Sequence, residues 1–210
     1  MKLGKLTNLP VQLRKELAPI YIIAGDEPLQ IEEVCDTIRA AVREQGYTER
    51  IVHHVDRNFV WQEILAEANS LSLFASKQLI EVRVAFDKIG DGKKVLQEYA
   101  EHIPPDTILM LITSRITKKY ESAKWFAALE RHSLYVQIWP IDAHQMGGWI
   151  SQRLQRNGMR AQTDAITLLA DLLEGNLLAA AQAIEQLKLV AGTELVTVEM
   201  VQNVVADSAR

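Results

Sequence analysis

The sequence has very little cysteine: Cys35 is the only one in 210 residues. One thiol cannot form an internal disulfide, and it cannot supply a cysteine-rich zinc site. The sequence also lacks any run of about 20 apolar residues, so no membrane-spanning helix is predicted. Its first ten residues are too short and too interrupted to form the core of a signal peptide. These absences predict a cytoplasmic protein with no membrane partner.

An excess of positive charge is also missing. The chain carries 23 lysines and arginines against 27 aspartates and glutamates, which gives a net charge of −4. A protein that binds DNA on its own usually has a basic excess, because it must neutralise phosphates. The composition therefore disfavours tight autonomous DNA binding, while 48% hydrophobic and 24% charged residues are ordinary for a folded globular chain.

Short apolar runs alternate with helical patterns over the first 140 residues. Strands are predicted at residues 20–24, 51–55, 79–84, 108–112 and 134–139. The runs are too far apart for hairpins, and amphipathic helical spacing occupies the intervals between them. The pattern therefore predicts an α/β fold with a doubly wound, parallel, five-stranded sheet and right-handed connections.

Several helix boundaries can also be predicted from the sequence. Asp26 fits an N-cap with Pro28 early in the helix, and residues 121–131 read as one helix. Asp56 or Asn58 could cap another helix, whose inner face would be Val60, Trp61, Ile64, Leu65 and Ala68.

No strand pattern follows Pro140. Four helices are predicted there, at residues 146–156, 164–174, 177–190 and 198–205. We therefore expect an α/β domain over residues 1–140 and a helical domain over residues 141–210. The last helix has no closing signal, so the chain is expected to be part of something longer.

The first strand-to-helix turn lies where a parallel sheet of this kind binds ligands. It reads Gly25-Asp26-Glu27-Pro28. A phosphate-binding loop needs several glycines, a lysine and a serine or threonine. This turn has one glycine, neither of the other groups, and two carboxylates that repel phosphate. It therefore favours an ordinary turn, and a nucleotide hydrolase with an unusual phosphate loop remains the alternative.

Other candidate chemistry is sparse. His53 and His54 are adjacent on a predicted strand, so they point to opposite faces and cannot share a metal ion. Cys35 reads as a small core residue. Lys118 and Lys119, with Arg115 nearby, form a basic patch that is read as a solvated loop rather than a phosphate contact. No catalytic residue, metal site or cofactor is predicted.

The connection before the third strand departs from the usual pattern. It contains three large apolar residues, Leu71, Leu73 and Phe74, in a segment that should lie at the surface. The three apolar side chains could pack under the preceding helix as core. Alternatively, they could form an exposed apolar anchor. A pair of apolar side chains inserted into a partner's pocket can contribute several kcal/mol of binding free energy.

Four segments together resemble a known family. They are SLSLFASKQ at 70–78, YIIAGDEPL at 21–29, AKWFAAL at 123–129 and EGNLLAAAQA at 174–183. They are similar, in order and over nearly the whole chain, to the delta subunit of bacterial DNA polymerase III, a clamp-loader subunit. The resemblance implies a RecA-like, AAA+-type α/β domain followed by a helical lid, without ATPase function. Consistent with this, the third strand ends in Arg83-Val84 and has no Asp-Glu pair.

The same resemblance implies a binding site and partners. Leu73 and Phe74, with Leu71 and Ser72 beside them, would insert into the sliding clamp (the beta subunit) and stabilise its open form. Leu178 would lie where working ATPases of this type place a sensing arginine. The family's other partners are the delta prime and gamma/tau loader subunits, with DNA contact only inside the assembled loader. The family's C-terminal collar domain is not part of this sequence, so we expect clamp binding without loader assembly.

Overall fold

The computed structural model describes residues 1–70, 77–192 and 194–208. It divides the chain into two compact units, Met1–Trp139 and Pro140–Arg210. Leu71, Ser72, Leu73 and Phe74, the predicted clamp-binding residues, lie outside the described residues. No helix in the described ranges is long and apolar enough to cross a membrane.

The first unit is built on a five-stranded sheet in which every neighbouring pair is parallel. The strands are β1 (Ile20–Ala24), β2 (Glu49–His54), β3 (Gln78–Val84), β4 (Thr107–Thr113) and β5 (Ser133–Gln137), in the order β2-β3-β4-β1-β5. β1 and β4 are buried along their whole length, as continuous apolar runs in a sheet covered on both faces should be. The predicted parallel α/β fold is confirmed.

Helices cover both faces of this sheet. They are α1 (Leu9–Lys15), α2 (Pro28–Glu44), α3 (Gln62–Ala68), α4 (Gly92–Glu101), α5 (Lys118–Glu121) and α6 (Lys124–Arg131). Successive strand residues point to opposite faces. Tyr21 and Ile23 therefore join the core under α1 and α2, whereas Ile20 and Ile22 join the core under α3, α4 and α6.

The strand order creates one reversal point. From β1 the chain goes to the edge strand β2, returns through β3 and β4 to the side of β1, and then crosses to β5. The helices that follow β1 and β4 leave on opposite faces, so a crevice opens at the carboxyl ends of these two strands. The turn at Gly25-Asp26-Glu27-Pro28, which was predicted to be an ordinary strand-to-helix turn, lies at this crevice.

The prediction of one helix over residues 121–131 was wrong. α5 ends at Glu121 and α6 begins at Lys124, because Ala123 has extended backbone angles (φ −71°, ψ 138°). The break lets Tyr120 and Trp125 both pack on Phe86, with ring centroids 4.9 and 5.8 Å from it.

The predicted start of α3 was also wrong. The helix begins at Gln62, and Asp56 instead accepts a hydrogen bond from the Asn58 N–H in a turn (2.8 Å). Val60 is 52% exposed rather than part of the inner face. Trp61 is buried because its indole lies over Gly92, where an added Cβ would be 2.3 Å from the ring. Only glycine fits at the start of α4.

The second unit consists of helices in its described part. They are α7 (Ala143–Arg156), α8 (Thr163–Leu172), α9 (Leu177–Ala191) and α10 (Val198–Ser208). α7 begins three residues before its predicted start because Asp142 and Gln145 form a capping box. Ile150, Leu169, Ile184 and Val201, one from each helix, are fully buried. The helical character predicted after Pro140 is confirmed.

Candidate functional site

The loop that follows β1 is tied to both neighbouring strands by its backbone. The Gly25 N–H donates to the Thr113 carbonyl (3.1 Å), and the Ile138 N–H donates to the Ala24 carbonyl (2.7 Å). A Cβ added at Gly25 would lie 2.7 Å from the Ile138 Cβ and 2.8 Å from its carbonyl oxygen. Glycine is therefore required here by the close passage of the chain after β5, and its N–H is already used within the protein.

The amino end of α2 is occupied by the protein's own carboxylate. Glu27 is the N-cap, and its side chain accepts from the Leu29 N–H (3.3 Å). The expectation that Asp26 is the cap was wrong, because Pro28 takes the first helical position and so makes the preceding residue the cap. Asp26 reaches across the crevice instead, where its carboxylate accepts from the Arg115 N–H (3.2 Å).

The crevice itself is an open cleft of about 320 Å³. Its charged lining residues are Asp26, Glu32 and Arg83. Arg83, near the end of β3, forms an ion pair with Glu32 of α2 at 2.5 Å. This hydrogen bond from Arg83 lowers the pKa of Glu32 from its ordinary value. The cation in the cleft is therefore already neutralised by a carboxylate, and two further carboxylates, on Asp26 and Glu27, stand at the loop.

An ion cluster lies next to this cleft on the same face of the sheet. Glu81 of β3 is completely buried. Its two carboxylate oxygens accept from Arg39 of α2 (2.8 and 2.8 Å) and from Arg50 of β2 (2.5 and 3.0 Å). Burial alone would raise the pKa of Glu81, but hydrogen bonds from Arg39 and Arg50 outweigh it and lower the pKa to about 2. The cluster joins an edge strand, a central strand and a helix.

Sequence reasoning missed this cluster. Glu81 and Arg83 alternate with apolar residues along β3, and this local pattern does not show that the Glu81 carboxylate is buried. The partners of Glu81 come from distant elements, so no local spacing marks them. A charged residue within a strand that has sheet neighbours on both sides was the one available signal.

The elements on either side of the 71–76 connection are held together by hydrogen bonds of Gln78 and Thr107. We call these two residues and the end of α3 the frame of the connection. Gln78, the first residue of β3, donates from its amide nitrogen to the Glu67 carbonyl (2.8 Å) and to the Thr107 hydroxyl (3.1 Å). That hydroxyl donates in turn to the Ala68 carbonyl (3.3 Å). Gln78 and Thr107 are both buried, so these bonds are shielded from water. The last carbonyls of α3 are therefore held against the starts of β3 and β4.

His53, His54 and Cys35 were also considered as candidate site residues from the sequence, and the structure gives each an ordinary environment. His53 is hydrogen-bonded to Glu67 through its Nε2 atom (2.6 Å), whereas His54 is exposed. Cys35 is buried in the core under α2, and burial raises the pKa of its thiol to about 12. Within the described ranges, no three histidine, cysteine, aspartate or glutamate side chains are grouped so as to hold a metal ion.

The Glu-Gly-Asn-Leu segment forms the start of α9. Asn176 is the N-cap, and its side chain accepts from the Ala179 N–H (2.9 Å). Gly175 precedes it with a φ of +74°, a conformation that glycine adopts without strain. Leu178 follows on the first turn and is 52% exposed. The start of α9 thus presents an apolar side chain to solvent.

Comparison with known proteins gives a consistent result. The family model described as DNA polymerase III, delta subunit, matches residues 21–138. Two curated relatives of that name, from Escherichia coli and Haemophilus influenzae, are each 28% identical over 96% and 94% of this chain. The chain covers 59% and 58% of their lengths, so it spans about three fifths of these relatives.

Solved structures agree at the level of fold. The Bacillus subtilis DNA clamp loader delta protein is similar with a TM-score of 0.69 at 18% identity, covering 94% of this chain and 61% of that one. A Thermotoga maritima RuvB structure gives a TM-score of 0.58 at 12% identity, covering 96% of this chain and 69% of that one. The predicted AAA+-like architecture is confirmed by these neighbours. Because the family model matches more than half of the residues, the chain belongs to the DNA polymerase III delta subunit family.

Proposed function

We propose that this chain is the clamp-binding part of a clamp-loader subunit that acts in DNA replication. Its apolar anchor is the pair Leu73 and Phe74, with Leu71 and Ser72 beside them, and its partner is the ring-shaped sliding clamp. Membership of the DNA polymerase III delta subunit family is the observation that carries the proposal. The match, over residues 21–138, includes nearly all of the sheet and the connection in which these four residues lie.

The frame around the connection supports this role. Gln78 and Thr107 hold the end of α3 and the starts of two strands together through buried hydrogen bonds. An anchor that starts and ends on fixed points leaves less of the chain to be ordered on binding, and that ordering opposes affinity. The frame is therefore compatible with a connection that binds a partner.

We further propose that the first unit is a degenerate AAA+ domain without ATPase activity and that the helical unit is its lid. At the nucleotide position, the Gly25 N–H is bonded to Thr113 and the amino end of α2 is capped by Glu27. Triphosphate oxygens would have to displace these bonds and approach three carboxylates. A nucleotide hydrolase is therefore the weaker alternative.

Ring opening follows from binding only under one condition. A ligand shifts an equilibrium between two states by its difference in affinity for them. The anchor would have to bind the clamp more tightly when one ring interface is open. The delta prime and gamma/tau subunits would be partners of the longer protein, since this chain spans about three fifths of its relatives.

The test is the affinity of this chain for the sliding clamp, compared with that of the Leu73→Ala/Phe74→Ala variant. Truncation of two buried interface anchors should cost at least about 2 kcal/mol, or roughly thirtyfold in Kd. A matched control is Leu189→Ala/Val190→Ala, which removes another adjacent apolar pair that is 85% and 61% exposed. The control should bind as the native chain does.

Two outcomes would refute the proposal. One is the absence of clamp binding by the native chain, and the other is binding by the Leu73→Ala/Phe74→Ala variant that is as tight as that of the native chain while the variant remains folded. Equal losses in the two double variants would show that apolar truncation in general, and not this anchor, weakens the interaction. Circular dichroism of each variant separates loss of binding from loss of structure.

A further inference from the structure

A separate cleft opens at the amino ends of β1 and β5, on the opposite edge of the sheet from the crevice. Its volume is about 410 Å³, within the roughly 300–1,000 Å³ of small-molecule sites. One wall is the segment that joins α1 to β1, and the other is the turn from α6 into β5. We call it the amino-edge cleft. It belongs to the first unit and shares no lining residue with the crevice.

Hydrogen bonds fix both walls of the amino-edge cleft. The chain leaves α1 at Glu16, which has an extended backbone, and runs on to β1. On this wall the Ala18 N–H donates to the Tyr21 hydroxyl (3.1 Å). On the other wall the His132 N–H donates to the Leu129 carbonyl (3.2 Å). A cleft with such walls exists before a ligand arrives, so little of the chain has to be ordered on binding.

Part of the cleft surface is apolar. Leu17, Ala18 and Pro19 line one wall, and Leu134 lines the other. Leu17 and Ala18 pack on the core under α1 and α2, and Leu134 is a buried member of that core. The fold therefore already holds a strip of apolar side chains on which the body of a ligand can lie.

Two cations stand on opposite walls beside this strip. Lys15 is the last residue of α1, and Arg131 is the last residue of α6. Both are exposed, and within the described part of the chain neither forms an ion pair. The lining includes one carboxylate, that of Glu16. The Met1 amino group also lines the cleft and donates to the Ser133 carbonyl (2.6 Å). Positive charge therefore exceeds negative charge here, although the whole chain has a net charge of −4.

The position of these cations at helix ends has an ordinary explanation. Basic side chains in the last turn of a helix interact favourably with its free carbonyls. That role also accounts for Arg14 and Arg156, in the last turns of α1 and α7, which are outside the lining of the cleft. Lys15 and Arg131 differ because they come from two helices and line one cleft together. The helix-end role predicts a change in stability on substitution, whereas a ligand role predicts a loss of binding.

We propose that the amino-edge cleft binds a small organic carboxylate with an apolar body. The carboxylate lies between Lys15 and Arg131, and the body lies on the apolar strip. A guanidinium matches a carboxylate because its planar fork donates two parallel hydrogen bonds. Glu16 in the same lining disfavours a ligand with a second negative charge, because like charges repel at short range.

The experiment is a titration of the isotope-labelled full chain with naphthoate, followed by amide NMR shifts, beside a titration with the uncharged naphthamide. A ligand of about a dozen non-hydrogen atoms should bind naphthoate's cleft with Kd on the order of 10⁻³ to 10⁻⁵ M. The shifts should concentrate at the amides of Lys15, Leu17, Ala18 and Arg131. Naphthamide keeps the shape without the charge and should bind about 5- to 30-fold more weakly, as expected for the loss of two exposed ion pairs.

Two double variants separate the cleft from the net charge. Lys15→Gln/Arg131→Gln should lower the affinity for naphthoate by the same factor of about 5 to 30 and leave the affinity for naphthamide unchanged. Arg14→Gln/Arg156→Gln is the matched control, since it also removes two cations from the last turns of helices. The control should bind naphthoate as the native chain does.

Three results would overturn the proposal: no naphthoate binding by the native chain at millimolar concentration, equal affinities for naphthoate and naphthamide, or shifts confined to other parts of the chain. Equal losses in the two double variants would overturn it as well, because net charge would then set the affinity. A less stable Lys15→Gln/Arg131→Gln variant with native naphthoate affinity would assign both cations to the helix ends alone. None of these outcomes depends on whether Leu73 and Phe74 bind the clamp.

Discussion

The carboxylate of Glu81 offers a sharp test of the forces that hold the sheet to α2. Glu81→Ala would remove a fully buried acceptor that pairs with Arg39 and Arg50 at once. Removal of one partner from a buried ion pair typically costs about 3–5 kcal/mol, because the other charge stays buried without compensation. Arg50 is 44% exposed and can turn to water, and Arg39 keeps its bond to Asp36 (2.7 Å). We therefore expect a loss of about 3 kcal/mol, at the lower end of that range.

The same residue predicts a pH dependence. The pKa of Glu81 is lowered from 4.5 to about 2 in the folded protein. Its stabilising effect is therefore complete above about pH 4.5 and is lost as the pH falls towards 2, because the unfolded chain binds the proton first. Such a shift corresponds to about 3 kcal/mol. The native chain should lose about that much more stability between pH 5 and pH 2 than Glu81→Gln does.

Urea unfolding followed by tryptophan fluorescence measures both effects. Trp61 and Trp125 are buried in the first unit, so their emission reports on its unfolding. Asp36→Ala is the control, since Asp36 is 72% exposed and its pair with Arg39 should contribute no more than about 1 kcal/mol.

One result would refute the reasoning about Glu81. If Glu81→Ala costs no more than Asp36→Ala at an unchanged m-value, the buried cluster does not stabilise the fold. A triple variant gives an independent check: Glu81→Leu with Arg39→Met and Arg50→Met should recover most of the loss, because an apolar group of similar volume can replace a buried ion cluster.

Two further predictions concern the loop after β1. Gly25→Ala should destabilise the first unit by about 1–3 kcal/mol, because the added methyl meets the Ile138 backbone, whereas Gly4→Ala, with nothing within 4 Å, should change stability by less than about 0.5 kcal/mol in the same urea assay. The native chain should show no saturable ATP binding up to millimolar concentration with magnesium present, measured by calorimetry; micromolar binding would favour the hydrolase alternative.

The sheet could be predicted from the sequence because its signals are local. β1 and β4 are continuous apolar runs, and their burial on both faces is what such runs indicate. Pro28 at the first helical position was enough to predict Glu27 as the N-cap. The prediction chose Asp26 instead, because aspartate is a preferred N-cap residue. The break between α5 and α6 could not be predicted this way. The rings on its two sides, Tyr120 and Trp125, pack on Phe86, which belongs to a distant segment of the chain.

For the candidate sites, too, only local features could be predicted from the sequence. The degenerate turn at Gly25 was visible as a departure from the composition that phosphate binding requires. The anchor at Leu73 and Phe74 was proposed from resemblance and lies outside the described residues. The frame built by Gln78 and Thr107 was not visible, because its bonds join residues 11, 29 and 39 positions apart in the chain. Hydrogen bonds of that kind leave no periodic mark.

Two different causes could require glycine at position 25, the one glycine of the loop after β1. Read alone, Gly25 resembles the remnant of a phosphate loop, and that reading would favour residual nucleotide binding. Its surroundings give a different cause, since the Ile138 backbone occupies the space that any side chain would need and Thr113 accepts its N–H. The packing cause predicts that Gly25→Ala is destabilising whether or not ATP is added. A nucleotide-binding cause predicts an effect on ligand affinity instead, so stability measured without nucleotide separates the two.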